Sequence, residues 1–180
     1  MSLLPDFVST TLWPLASSPG WGGLIALLAL AAVIDLRSGR IPNWLTVTGM
    51  GWGLAFSASQ GLGTGAGLAT GLAGLATGLA VMLPLYLLRA TGAGDVKLMA
   101  MTGAFLGTQP MLVTTLFVFI AGGVMALLHL ALRAAARQAA ARPQAGPATP
   151  APASLGRIRY GASIFAGTLA FLVLRQLAQR

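Results

Sequence analysis

Six apolar stretches, separated by short polar or basic segments, form the dominant pattern of the chain. They cover residues 21–36, 44–59, 65–88, 96–107, 111–132 and 161–177. A helix that crosses the hydrocarbon core of a bilayer needs about 20 mostly apolar residues. The first two stretches are a little shorter than this, and the fourth is clearly short. We therefore predict an all-α polytopic membrane protein with about six transmembrane helices, the fourth extending past its apparent end or crossing only partly.

Composition supports a membrane protein over a soluble one. Of the 180 residues, 56% are hydrophobic and only 8% are charged, whereas soluble domains carry about 25% charged residues. A net charge of +8 would suggest nucleic acid as the partner of a soluble protein. Here the basic residues cluster between apolar stretches, so we expect the lipid bilayer as a partner and no nucleic acid.

The basic residues also predict an orientation, because lysine and arginine are enriched in cytoplasmic loops. With six spans, nine of them fall on one side: Arg37, Arg40, Arg89, Lys97, Arg133, Arg137, Arg142, Arg157 and Arg159. Arg175 and Arg180 fall on the other side. We therefore place the N-terminus outside, with residues 1–20 as an exterior segment that lacks the basic region of a signal peptide. Residues 142–156 are rich in proline and alanine and predict a disordered cytoplasmic loop.

Glycines recur in the third stretch with the spacing of a helix face. Gly63, Gly67 and Gly71 are four residues apart, and Gly74 and Gly78 follow. No Gly-Lys-Ser/Thr sequence follows them, so a phosphate-binding loop is disfavoured. The spacing predicts close packing of the third helix against a neighbour.

Two aspartates are the candidate functional residues. The chain contains three acidic residues, of which Asp6 lies in the N-terminal segment. Asp35 ends the first stretch in VIDLRSGRIPN, and Asp95 opens the fourth in GAGDVK. The predicted orientation places both at the cytoplasmic membrane face and at similar depth. Acidic groups inside a membrane are costly and usually functional. Taken singly, Asp95 also fits a helix N-cap, and Asp35 fits an ion pair with Arg37 or Arg40.

Two neighbouring carboxyl groups in a partly desolvated site share a proton near neutral pH. One then activates a water molecule while the other donates to the substrate carbonyl, as in aspartic proteases; which aspartate is base and which is acid stays open. Gly92 and Gly94 allow another chain to approach closely. Lys97 tunes Asp95, meets an acidic group of the substrate, or anchors the chain at the headgroups.

No other catalytic apparatus accompanies the aspartates. The chain has no cysteine, no GxSxG sequence and no HExxH sequence, so no metal or cofactor is expected. The single histidine, His129, lies in an apolar run and is expected to pack within a helix.

The chain resembles the type IV prepilin peptidases, membrane aspartic proteases of the GxGD type, and in its short form those of Tad/Flp pilus systems. Two motifs carry most of the resemblance: D-x-R-x-x-x-I-P-N, beginning at Asp35, and G-x-G-D-x-K-L, beginning at Gly92. A G-x-x-x-G at Gly103 and Gly107 follows. A weaker RYGASI begins at Arg159, where the family usually has a proline.

The resemblance implies that Asp35 and Asp95 are catalytic. It implies cleavage of the basic leader of prepilin-like proteins, after a glycine, at the cytoplasmic face of the bacterial inner membrane. Arg37, Pro42 and Asn43 shape the loop between the first two helices, with Asn43 capping the second. Bifunctional members usually carry a cysteine-bearing N-terminal domain; this chain shows neither the domain nor a cysteine, so methyltransferase activity is not expected.

Two rival functions belong to other classes. A non-catalytic assembly scaffold would use the glycine-rich face to bind helices and would tolerate Asp35→Asn. A small proton- or cation-coupled transporter would explain intramembrane acids, but it would need polar groups through the whole bilayer rather than at one face.

Overall fold

The structure, a computed structural model, describes residues 18–61, 65–140 and 160–178. Within these ranges the chain forms six helices and no strand. They are α1 Pro19–Ser38, α2 Asn43–Gln60, α3 Ala66–Leu87, α4 Ala93–Leu106, α5 Thr108–Ala140 and α6 Tyr160–Ala178. The predicted loop at 142–156 and nearly all of the predicted exterior segment 1–20 lie outside the described residues.

Four of these helices are long and apolar enough to cross a membrane. They are α1, α3, the part Thr108–Ala136 of α5, and α6. The all-α class of a membrane protein is thereby confirmed. The helices α2 and α4 do not reach the same length and hydropathy, so six full crossings and an exterior N-terminus stay predictions.

The short fourth helix is the centre of the bundle. α4 has 14 residues, which corresponds to about 21 Å, less than the roughly 30 Å of a bilayer core. Residues 98–106 are buried without interruption, and α4 packs against all five other helices. A helix that is apolar on every side is expected in the interior. α4 ends at Gly107, whose positive φ of 77° lets the chain turn directly into α5, so the helix does not extend beyond its apparent end.

Glycines bring α3 and α4 into backbone contact. A Cβ atom added to Gly74 would collide with the carbonyl oxygen of Gly103 and lie 2.6 Å from the Cα of Gly107. One turn later, a Cβ on Gly78 would collide with the carbonyl oxygen of Met99. Small residues permit this approach between membrane helices. The predicted packing role of the glycine-rich helix is therefore confirmed for the described glycines; Gly63 lies outside them.

The outer surface of α5 is apolar and exposed. Large side chains spaced three or four residues apart form one stripe along this helix: Leu112, Leu116, Ile120, Val124 and Leu127, all between 52% and 69% exposed. Such a stripe would be unfavourable in water. It fits contact with lipid acyl chains, as expected for a membrane protein.

Candidate active site

Asp35 lies in the last turn of α1, with its side chain turned into the protein. The sequence ends this helix with Gly39, which adopts the left-handed conformation (φ 65°) and donates its N–H to the carbonyl oxygen of Asp35 at 2.9 Å. Glycine at this position is the commonest way to end a helix. The Asp35 side chain is only 7% exposed, and its Oδ2 accepts a hydrogen bond from the N–H of Gly161 at 3.1 Å.

Asp95 lies in the first turn of α4. Its Oδ2 accepts a hydrogen bond from the N–H of Gly92 at 3.1 Å, and the residue is 9% exposed. The carboxylate therefore does cap the helix, as one interpretation of the sequence proposed, but from the third helical position rather than from the N-cap. This hydrogen bond occupies only one of the two carboxyl oxygens. The other oxygen is available to accept or donate a proton.

Both aspartates line one cavity of about 750 Å³ at the end of the bundle. Of the other predicted site residues, Gly92, Gly94, Lys97 and Asn43 also line it. Arg37 is exposed at the end of α1, and neither it nor Pro42 belongs to the cavity lining. The fold thus brings the two acids of the apolar body, from distant parts of the chain, into one open site.

The cavity is open and strongly charged. Three basic residues line it besides the two acids: Arg40, Arg89 and Lys97. Burial raises the pKa of Asp95 from 3.8 to about 6; the Gly92 hydrogen bond acts in the opposite direction, and the charge of Asp35 adds to the rise. Asp95 belongs to α4, outside the four candidate spans. Two acids whose charges interact in one cavity are suited to share a proton.

Comparison with known proteins shows the family of the chain. Residues 23–127 match the profile of the Type IV leader peptidase family, a range that includes both aspartates and covers more than half of the chain. The chain belongs to the type IV leader peptidase family. It is 33% identical over 133 residues to a protein of Myxococcus xanthus (strain DK1622) named "Prepilin leader peptidase/N-methyltransferase". The match covers 72% of this chain and 40% of that relative. No solved structure matches the chain.

The side chains of Lys97 and Asn43 contact each other, which the sequence did not predict. The Nζ of Lys97 donates a hydrogen bond to the Oδ1 of Asn43 at 2.8 Å, so the first turns of α4 and α2 are tied together. The prediction that Asn43 caps α2 is wrong, because the N-cap is Pro42 and no side chain caps the helix. Sequence reasoning missed the tie because it joins residues 54 positions apart.

The two glycines of GAGD, Gly92 and Gly94, lie close to other residues of the same chain. A Cβ on Gly94 would lie 3.2 Å from the Cβ of Ile41, and one on Gly92 would lie 3.3 Å from the Oδ2 of Asp95. Gly94 therefore allows close approach of the loop between α1 and α2, where the sequence had suggested approach of a substrate. A methyl group at either position would press on a residue of the cavity wall.

Four residues of the site were not predicted from the sequence. Arg89 and Thr91 directly precede GAGD and line the cavity, so their proximity to Asp95 was an available signal. Arg89 has a positive φ of 59°, a conformation that costs energy for a non-glycine residue and clusters at functional sites. Tyr160 lines the cavity and Gly161 bonds to Asp35. They lie in the RYGASI segment, beyond the matched range of the leader peptidase family.

The raised pKa of Asp95 leads to a direct test. A neighbouring negative charge raises the pKa of a carboxyl group, so Asp35→Asn is expected to lower the pKa of Asp95 from about 6. Because the chain has three aspartates and no glutamate, labelling with [γ-¹³C]aspartate gives three carboxyl signals in the NMR spectrum. Asp6→Asn and Asp95→Asn assign them. An Asp95 signal that titrates near 4, or a titration unchanged by Asp35→Asn, would contradict the coupling.

Proposed function

We propose that this leader peptidase is an aspartic endopeptidase that removes the basic leader of prepilin-like membrane proteins by cutting after a glycine. The observation that supports this most is the meeting of Asp35 and Asp95 in one cavity. These two aspartates are the only acidic residues of the chain after the N-terminal segment. Each side chain is buried, and each carboxylate accepts a hydrogen bond from one backbone N–H. Two carboxyl groups in one cavity whose charges interact can share a proton, and an acid–base pair uses such a proton.

In the proposed reaction the two carboxyl groups share one proton. The ionised member takes a proton from a water molecule, whose oxygen attacks the carbonyl carbon of the scissile peptide bond. The protonated member donates to the carbonyl oxygen, and collapse of the tetrahedral intermediate expels the amine with a proton. Burial raises the pKa of Asp95 to about 6, so this carboxyl group keeps its proton to higher pH than an ordinary aspartic acid.

The cavity suits an extended peptide better than a helix. It is open, and charged side chains of both signs line it. A substrate helix can remain in the lipid while the residues before it unwind and enter the cavity. A glycine before the cut requires no side-chain space between the two carboxyl groups, and it adopts backbone conformations that other residues avoid.

We also propose that the cavity faces the cytoplasm. Arg40, Arg89 and Lys97 lie at the cavity. Arg175, in the last turn of α6, lies over the ring of Trp21 at a distance of 5.3 Å, and α6 begins at the cavity with Tyr160. The basic residues therefore concentrate at the cavity end of the bundle, which is the distribution expected for the cytoplasmic face.

A sided cleavage assay tests the function and the orientation together. The probe is a synthetic peptide with a basic leader, a glycine and a following apolar helix, added to membrane vesicles that contain the protein. We expect one cut, directly after the glycine, in inverted vesicles and none in sealed right-side-out vesicles; mass spectrometry locates the cut. The matched control is the same peptide with valine in place of the glycine. Equal cleavage of both peptides, or cleavage only in right-side-out vesicles, would contradict the proposal.

A further inference from the structure

The first turn of α6 contacts one of the two candidate catalytic residues directly. The N–H of Gly161 donates to the Oδ2 of Asp35 at 3.1 Å, and the bond is buried. N–H groups in the first turn of a helix have no partner within the helix, and they carry partial positive charge that favours an anion. The start of α6 is therefore directed at the carboxylate that ends α1.

Only glycine permits this approach. A Cβ atom at position 161 would lie 2.9 Å from the Oδ2 of Asp35 and 3.0 Å from its Cβ. The Cβ of Asp35 is fixed by the backbone of α1, and its short, buried side chain has little room to turn away. An alanine at 161 would have to push the carboxylate away from its present position or move the start of α6.

A second glycine fixes the start of α6 against α5. A Cβ on Gly122 would lie 3.1 Å from Cε1 and 3.6 Å from Cδ1 of Tyr160. The tyrosine ring therefore packs directly against the backbone of α5 at Gly122. The next residue, Gly123, has nothing within 4 Å of such a Cβ. Gly122 therefore contacts Tyr160, the residue before Gly161, whereas its neighbour Gly123 does not.

We infer, on the basis of the proposed peptidase function, that Gly161 is a positioning residue. Its N–H orients the Asp35 carboxyl group for catalysis, and the packing of Tyr160 against Gly122 holds this N–H in place. The bond to α6 occupies Oδ2 and leaves the other oxygen of Asp35, a residue of the cavity lining, available for a reaction. Catalytic geometry depends on such support, since a misplacement of about 1 Å costs about 100-fold in rate.

The test compares Gly161→Ala, Gly122→Ala and Gly123→Ala in purified protein, with the leader peptide described above. For Gly161→Ala we expect kcat to fall about 100-fold with KM changed less than about threefold, because the residue acts on Asp35 and not on substrate binding. For Gly122→Ala we expect a smaller fall in kcat, about tenfold, since the Tyr160 ring must move by a few tenths of an ångström. Gly123→Ala is expected to keep the wild-type rate.

A second measurement follows the contact without relying on activity. In protein labelled with [γ-¹³C]aspartate, the Asp35 carboxyl signal is expected to move in Gly161→Ala and Gly122→Ala but not in Gly123→Ala. Wild-type kcat in Gly161→Ala, or an Asp35 signal that stays in place there, would overturn the inference. If Gly161→Ala does not fold, the comparison of Gly122→Ala with Gly123→Ala decides, and identical rates and signals in that pair count against it.

The two proposals fail in different ways. If the wild-type protein cuts none of the peptide while the Asp35 signal still moves in Gly161→Ala, the peptidase function is wrong and the positioning of the carboxyl group stands. If the wild-type protein cuts after the glycine and Gly161→Ala does so at the same rate, the function stands and the positioning role is wrong.

Discussion

Asparagine at either candidate catalytic position is expected to abolish leader cleavage. Asp35→Asn and Asp95→Asn each keep the size of the side chain but remove the ability to exchange a proton at neutral pH. General acid–base catalysis contributes about 10²–10⁴-fold per group, so each single variant should lose at least about 100-fold in kcat. Because the two carboxyl groups act as a unit, the double variant should be scarcely slower than either single one.

The measurement is the cleavage rate of purified protein with the glycine-containing leader peptide. Asp6→Asn is the matched control, since it removes the third acidic residue of the chain and is expected to keep the wild-type rate. Comparable thermal unfolding of all variants would show that lost activity is not lost folding. A wild-type rate in Asp35→Asn or Asp95→Asn would exclude the paired-carboxyl mechanism and would favour the rival assembly scaffold.

Gly103→Ala is expected to have the largest effect on stability. Its added Cβ would collide with the carbonyl oxygen of Gly74 and lie 2.6 Å from the carbonyl carbon of the same residue and 3.1 Å from the N of Leu75. All three atoms belong to the backbone of α3, which cannot rotate away as a side chain can. Overpacking of this kind typically costs 1–3 kcal/mol, and we expect about 3 kcal/mol here because α4 is enclosed on every side.

Gly51→Ala is the matched control, because a Cβ on Gly51 meets nothing within 4 Å. An alanine inside the exposed part of α2 should leave stability unchanged or raise it by up to about 1 kcal/mol. The unfolding temperature of both variants in the same detergent measures the difference. Equal unfolding temperatures would contradict the backbone contact between α3 and α4. Gly103→Ala should also lower activity, since α4 carries Asp95.

Lys97 shows where local interpretation of the sequence was insufficient. Its position two residues after Asp95 suggested that it tunes the carboxylate, binds an acidic substrate group or anchors at the headgroups. Its amino group donates a hydrogen bond to Asn43, a contact that none of these three predictions included, and the three roles stay predictions. A long flexible side chain such as lysine can reach many hydrogen-bond partners. Which partner it binds depends on which helix end packs beside it in the fold.

The sequence alone determined the helical membrane class, and it singled out the two aspartates as the candidate functional residues. Both follow from local physical chemistry: long apolar stretches favour helices in lipid, and an acid in such a chain is too costly to be incidental. Most helix ends lie within three residues of the predicted ones, and Gly39, Pro42 and Gly107 stand directly beside three of them; the end of α5, at Ala140 instead of 132, was not predicted.

Only the tertiary structure decided how these parts combine. The apolar pattern of α4 is the same whether a helix lies in lipid or inside a bundle, so its central position required the packing of its neighbours. The bond from Gly161 to Asp35 joins residues 126 positions apart, and no local pattern encodes such a contact. It arises because two glycines, Gly161 and Gly122, remove the atoms that would keep α6 away from α1 and α5.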